Sequence, residues 1–219
     1  MHSMKKKRIF ITATNTDIGK TYTTELLLRE YASRGLNVGV IKPVETGVIN
    51  GVYPDGNALL TLVKELNPLM QNLSVADIVP ISYELPAAPF IASGGEKFDL
   101  QKVLDAIEKL EALCDILIIE GAGGLYVPIE KEFMIIDLIK ELEASALLVT
   151  HCSLGCINDT LLSKKALESY GIEHEVVFNC KEGDSSFTQV SEPYFQAVNF
   201  PLLKTASDID TLCDLLYNL

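Results

Sequence analysis

Short β-branched apolar runs recur along the chain, and each is followed by a polar or glycine-rich break and then by helical spacing. Residues 9–11 (Ile-Phe-Ile) predict a buried strand, and 22–34 predict a helix with Leu26, Leu27 and Tyr31 on its apolar face, ended by Gly35. A second strand is expected over 36–41. Residues 48–57 look like a loop, and 58–66 like a helix stopped by Asn67-Pro68. Residues 74–98 carry Pro80, Pro86, Pro89 and Gly94-Gly95, and predict an irregular functional loop or lid. An amphipathic helix follows over 100–113, and then the most buried-looking strand, 115–120. Beyond it, helices are expected over 133–142 and 158–170 and strands over 146–150 and 175–178, with a helix at 189–198, a short strand at 200–203 and a last helix at 207–218.

Strands alternating with helices predict an α/β fold: one doubly wound domain over 1–219, a mostly parallel sheet flanked by helices, P-loop NTPase-like. No repeat, linker or low-complexity segment interrupts it. Ligands of such folds bind outside the carboxyl ends of the strands.

Composition narrows the functions. Hydrophobic residues at 48% supply a sizeable core, and a formal charge of −12 argues against nucleic acid as a partner. A phosphate site must therefore build its own local positive field. No apolar run is long enough to span a membrane. Lys5-Lys6-Lys7-Arg8 precedes too short an apolar run for a signal peptide, so it is read as a strand start and the protein as cytoplasmic. Met1-His2-Ser3 reads as an expression remnant before Met4. The five cysteines, 114, 152, 156, 180 and 213, form no C-x-x-C pair and are expected to be reduced thiols rather than a metal site.

The candidate chemistry sits at the predicted strand ends. After residues 9–11 comes a small-residue loop closing on Gly19-Lys20-Thr21, with helical spacing directly behind it. That is the context of a phosphate-binding loop: backbone amides and the helix N-terminus face phosphates, Lys20 reaches the β/γ-phosphates and Thr21 meets Mg²⁺. Thr14 stands where the first glycine of that motif falls. Lys42 follows the second strand and precedes Pro43, which aims a second ammonium at the crevice. Glu120 ends the 115–120 strand and precedes Gly121, Ala122, Gly123 and Gly124. A carboxylate there suits a Mg²⁺ ligand, and the glycines suit close approach of backbone to a ligand. Asp55, in a Pro-Asp-Gly turn, is either a turn former or a second metal carboxylate. Residues 153–158 either leave helix amides free for a carboxylate or form an ordinary connection capped by Asn158.

Four motifs in this order resemble one family. They are Thr14-Asn-Thr-Asp-Ile-Gly-Lys-Thr21, Lys42-Pro-Val-Glu-Thr-Gly47, Glu120-Gly-Ala-Gly-Gly124 and Leu154-Gly-Cys-Ile-Asn158. Together they resemble dethiobiotin synthetase, an ATP-dependent ligase that joins CO₂ to 7,8-diaminononanoate and closes a ureido ring. The resemblance implies catalytic roles for Lys42, Lys20 and Thr16. It implies nucleotide or cofactor contacts from Asp17, Ile18, Gly19, Lys20, Thr21 and Tyr22 on the loop, from Asp55, Glu120, Gly121, Ala122 and Gly123, and from Asn179 and Cys180. Mg²⁺ falls to Thr21, Asp55 and Glu120. Substrate falls to Lys42 and Thr46 and, from the partner subunit of a homodimer, to Gly155, Cys156, Ile157 and Asn158. Asn179 is expected to read the adenine edge. The resemblance thins after about residue 183, and residues 200–204 assign no adenine pocket.

The rival is a partition-type ATPase or GTPase switch acting through protein partners. Partition ATPases carry a second lysine early in the loop, where this chain has Asn15. Asn179-Cys-Lys-Glu182 only echoes the guanine-reading N-K-x-D. Neither rival accounts for Lys42-Pro43 with Thr46-Gly47. A third reading is an amidotransferase-related ligase on the same scaffold acting on a larger carboxylate, and the lack of a glutaminase domain in 219 residues counts against a self-contained version.

Overall fold

The computed structural model describes residues 7–180 and 186–219. The remnant reading of residues 1–3 and the Lys181-Glu182 part of the guanine comparison lie outside the described residues.

The first strand, β1 (Lys7–Ala13), leads through the phosphate loop into helix α1 (Lys20–Ser33). The helix starts two residues earlier than the spacing predicts and buries Leu27, Leu28 and Tyr31 rather than Leu26. Three consecutive leucines leave the buried face ambiguous in the sequence, and packing on the sheet decides it. Strand β2 (Val38–Ile41) is followed by two short strands, β3 (Val44–Thr46) and, after helices α2 (Gly56–Leu66) and α3 (Val75–Ile78), β4 (Ile81–Tyr83). Helix α4 (Pro89–Ala92) and the amphipathic α5 (Leu100–Glu111) lead to β5 (Ile116–Gly124). Then come a small antiparallel pair, β6 (Pro128–Glu130) and β7 (Phe133–Met134), helix α6 (Ile135–Glu141), β8 (Ser145–His151), α7 (Cys156–Tyr170) and β9 (His174–Asn179). Helices α8 (Ser186–Val190), α9 (Glu192–Ala197) and α10 (Ile209–Asn218) complete the described chain.

The central sheet has five parallel strands in the order β2-β5-β1-β8-β9. Helices cover both faces, so the strands are apolar almost throughout rather than alternating: Ile9, Phe10, Ile11, the 116–119 run and Leu147 to Val149 are all fully buried. From β1 the chain goes to the β2 edge, and from β8 to the β9 edge. The strand order thus reverses beside β1, where the phosphate loop leaves.

Polar braces hold the layers. The Arg8 guanidinium forks onto Glu111 of α5 at 2.6 and 3.0 Å and donates to the Leu142 carbonyl at 2.9 Å. Asn67, the predicted helix stop, is fully buried and donates to both the Val38 and Leu113 carbonyls at 2.9 Å. The Tyr31 hydroxyl donates to the Cys213 carbonyl at 2.9 Å, tying α10 to α1.

Several elements differ from the sequence expectation. The 74–98 stretch is not irregular throughout: it holds α3, β4 and α4, and β4 pairs in parallel with β3. Three-residue strands and one-turn helices are too short to print a period. The strand ending at Glu120 runs on to Gly124, which pairs with Ala13. The predicted 133–142 helix begins at Ile135, because Phe133 and Met134 pair with β6. The 189–198 helix is two helices meeting at Ser191, and 200–203 makes no strand: only a single bridge joins Lys204 to Phe178.

The expectation of reduced thiols is overturned at one pair. Cys152 and Cys180 form a disulfide, with Cα atoms 5.0 Å apart. They follow β8 and β9 directly, and the register that pairs His151 with Asn179 sets them side by side. That proximity depends on strand register, which the 28-residue separation hides. Cys114, Cys156 and Cys213 are buried and lie outside this bridge, and burial pushes the Cys213 thiol up to about 12.

Candidate active site

The loop between β1 and α1 gets its shape from two left-handed residues, Asp17 (φ 57) and Gly19 (φ 98). Gly19 is the N-cap of α1, and no side chain caps that helix. The first amides of α1 are thus left for an anion. A side chain at Gly19 is excluded twice, by its φ and by Asn179, whose Nδ2 would lie 2.0 Å from a Cβ there. Asn179 donates to the Ile18 carbonyl at 2.8 Å, so the end of β9 braces the back of the loop. The Lys20 ammonium curls over the loop to the Asn15 carbonyl at 3.5 Å. Burial lowers the Lys20 pKa, with Lys42 adding to the effect and Glu120, Asp55 and Asp17 opposing it.

Beside the loop stands a cluster of charge. Glu120 on β5 is 0% exposed and Lys42, just beyond β2, is 5% exposed. The Lys42 ammonium donates to Glu120 Oε1 at 2.7 Å and also to Asp55 Oδ2, while the Thr21 hydroxyl donates to Glu120 Oε1 at 3.0 Å. Burial works against the Lys42 charge, but Glu120 and Asp55 outweigh it and raise its pKa above the ordinary lysine value. Glu120 Oε2 is buried with no hydrogen-bond partner. A buried carboxylate oxygen without a donor is costly unless something positive meets it. Two carboxylates and a hydroxyl beside a phosphate loop are hard oxygen donors of the kind Mg²⁺ takes, with the remaining positions left to phosphate and water. No group of three or more His, Cys, Asp or Glu side chains forms a metal cage among the described residues. The arrangement therefore fits a cation that also holds a phosphate, not a structural metal.

Thr16, Asp17, Gly19, Lys20 and Thr21, then Lys42, Thr46 and Asp55, then residues 121–123, share one cleft of about 640 Å³. Pro86 to Pro89 form its other wall, so the stretch expected to be a lid does border the site. Glu120 lies beneath this cleft and reaches it through Lys42 and Thr21. The glycines after Glu120 serve the fold more than the sequence reading expects. A Cβ at Gly121 would lie 2.6 Å from Phe10 Cε1, so its lack of a side chain also serves the packing of β5 beside β1.

Ile18, Tyr22, Asn179 and Cys180 do not line the cleft, and neither do residues 155–158. Helix α7 starts at Cys156 with Gly155 (φ 102) as N-cap, so Asn158 is not the cap that one reading made it. Leu154, beside them, is 86% exposed. The residue the sequence reading missed is Glu45. It is 2% exposed and accepts from the Asp55 amide at 2.5 Å and from the Gly56 amide at 3.1 Å. Burial raises its pKa, and those amides and Lys42 offset part of the shift. Its one sequence signal is an acid in the variable place of Lys42-Pro-Val-Glu-Thr-Gly47.

A protein of Sulfurovum sp. (strain NBC37-1), "ATP-dependent dethiobiotin synthetase BioD", is 48% identical over 193 residues, covering 88% of this chain and 91% of its own length. This chain belongs to the dethiobiotin synthetase family. A synthetase of the same name from Methanocaldococcus jannaschii is 37% identical, covering 93% of this chain and 91% of its own length. A family model described as an AAA domain matches residues 7–214. Among solved structures, a plasmid partition protein of Borrelia burgdorferi superposes with a TM-score of 0.57 at 10% identity, covering 98% of this chain and 97% of its own. The MinC:MinD cell division complex of Aquifex aeolicus gives 0.52 at 18% identity, covering 97% of this chain and 86% of the other. At such identities the likeness shows a shared P-loop fold and nothing of what these proteins do. This chain thus shares its fold with those plasmid partition and cell division proteins.

Proposed function

We propose that this protein is an ATP-dependent dethiobiotin synthetase that carboxylates 7,8-diaminononanoate and closes the ureido ring, releasing ADP and phosphate. The observation that carries the reading is Lys42, whose ammonium is fixed between Glu120 and Asp55 beside the phosphate loop. Family membership supports it, and the partition-type alternative rests on fold likeness alone.

The reaction must turn a poor electrophile into a good one. One substrate amine attacks CO₂, forming an N–C bond and losing a proton to give a carbamate. A carbamate oxygen then attacks the γ-phosphorus of ATP as the bond to ADP breaks, giving a carbamic–phosphoric anhydride. The second amine attacks the carbonyl carbon, phosphate leaves with the electron pair, a proton is lost and the ring closes. Phosphoryl transfer of this kind needs positioning and charge stabilisation above all.

The loop amides, Thr16 and Lys20 hold the phosphates. Lys42 meets the carbamate and the transferring phosphoryl group, where an ammonium acts as a compact point charge. Thr21, Asp55 and Glu120 would hold Mg²⁺, which supplies charge neutralisation on the phosphates. Thr46 contacts substrate, and the reading of the adenine edge is assigned to Asn179, which also steadies the loop through the Ile18 carbonyl. Residues 155–158 lie outside their own chain's cleft, and Leu154 is exposed beside them, so the proposal gives them to the partner's substrate carboxylate in a homodimer. Residues 1–219 are read as one domain, supported by the single core cluster that runs through the described residues. No helix among the described residues is long and apolar enough to cross a membrane, and a biosynthetic role in the cytoplasm belongs to the same proposal.

The test is phosphate release from Mg·ATP and bicarbonate with and without diaminononanoate, alongside the product mass. Diamine-dependent release with a product that has gained a carbonyl supports the reading. Release indifferent to the diamine contradicts it.

A further inference from the structure

Asp55 occupies the N-cap of α2, where an aspartate ordinarily turns its carboxylate back onto its own helix amides. It does not do so here. No cap bond forms from the Asp55 side chain, which reaches Lys42 instead. Yet the end of α2 is not left bare. Glu45, from β3, accepts the Asp55 amide at 2.5 Å through Oε1, and the Gly56 amide at 3.3 Å through Oε1 and 3.1 Å through Oε2. It does so from a nearly closed site, and the absence of a side chain at Gly56 gives it room. A Cβ there would lie 2.8 Å from Glu45 Oε2 and 2.7 Å from Val79 Cγ2.

We propose that Glu45 is a positioning residue for the metal site: by holding the Asp55 and Gly56 amides, it fixes the backbone that aims the Asp55 carboxylate at Lys42 and Glu120. The two carboxylates divide the work. If Glu45 is removed, the Asp55 and Gly56 amides lose their acceptor and the backbone that carries the Asp55 carboxylate is no longer held. That carboxylate is then free to turn from Lys42 to the Asn57 and Ala58 amides, the ones an N-cap side chain ordinarily takes. The placement of Glu45 depends on β3, which is held by its pairing with β4 through Glu45 and Ser82. The short second sheet thereby serves the site.

The inference rests on the metal role proposed above for Asp55, and its test involves neither turnover nor the diamine. Mn²⁺, a paramagnetic stand-in for Mg²⁺, is titrated into the full protein saturated with ADP, and free Mn²⁺ is read by electron paramagnetic resonance. Glu45→Ala is expected to weaken Mn²⁺ binding about tenfold, the scale set by a lost cap, and Glu45→Gln by about threefold. Metal-free ADP affinity should stay within about twofold, since the phosphate loop is untouched. In an Asp55→Asn background the Glu45→Ala effect should vanish, because the two residues act through one carboxylate. Should the alanine variant fail to fold, the glutamine variant carries the same cycle. A purely structural cap would lower the unfolding temperature and leave Mn²⁺ affinity alone, and that result overturns the inference. So does an equal loss with and without Asp55. Mn²⁺ binding indifferent to Asp55→Asn would overturn the metal role as well.

Discussion

Lys42 is held between two carboxylates, and its removal does more than take a cation from the cleft. Glu120 is fully buried, and without Lys42 its carboxylate has only the Thr21 hydroxyl. Breaking a buried ion pair from one side costs about 3–5 kcal/mol. Lys42→Ala should therefore lose nearly all turnover, keep nucleotide binding and unfold at a clearly lower temperature, with Mg·ADP restoring part of the loss. A wild-type rate removes Lys42 from the mechanism, and an unchanged unfolding temperature removes the ion pair from the stability account. Glu120→Gln should raise the Mg²⁺ concentration needed for activity, and an unchanged titration returns Glu120 to a structural role. Lys20 sets a pH dependence. Burial lowers its pKa below the ordinary 10.5, so between that lowered value and 10.5 the unfolded chain binds more protons, and stability rises with pH in this window. Phosphate needs the charged form, so nucleotide affinity should fall as pH rises through the lowered value, with proton uptake on binding. Calorimetry in buffers of different ionisation heat measures both, and an affinity flat across the alkaline range contradicts the assignment.

Among the elements, the phosphate loop is the most constrained. Gly19→Ala meets both a left-handed φ and the Asn179 amide, so the loop must shift. Nucleotide affinity should drop about tenfold or more with the circular dichroism unchanged, the strain being about 1–3 kcal/mol. Fluorescent-nucleotide titration decides it. The five central strands were legible because both of their faces are buried and their apolar runs are continuous. Lys20, Thr21, Lys42 and Glu120 were legible because each ends such a run or opens the next helix. Glu45 was not, because its meaning comes from amides ten and eleven residues away, reached only when β3 pairs with β4. The same holds for the short elements inside 74–98, which are set by tertiary contacts rather than by period. Asp55, open between turn former and ligand in the sequence, is a helix N-cap whose side chain faces the site.

At the scale of the whole molecule, the sheet order brings distant motifs to one edge and also closes the Cys152–Cys180 bridge. Closing a loop of that length should stabilise the fold by about 3–4 kcal/mol on the chain-entropy account. Unreduced protein titrated in denaturant should show the three thiols of Cys114, Cys156 and Cys213, and five would contradict the bridge. The central claim is that this assembled edge phosphorylates a carbamate. Bicarbonate enriched in heavy oxygen, supplied with diaminononanoate and Mg·ATP in a single turnover, tests it most directly. A carbamate oxygen that attacks the γ-phosphate leaves with it, so the released phosphate should carry one heavy oxygen and the ring carbonyl another. Phosphate free of the label, with the ureido product still formed, would contradict the account.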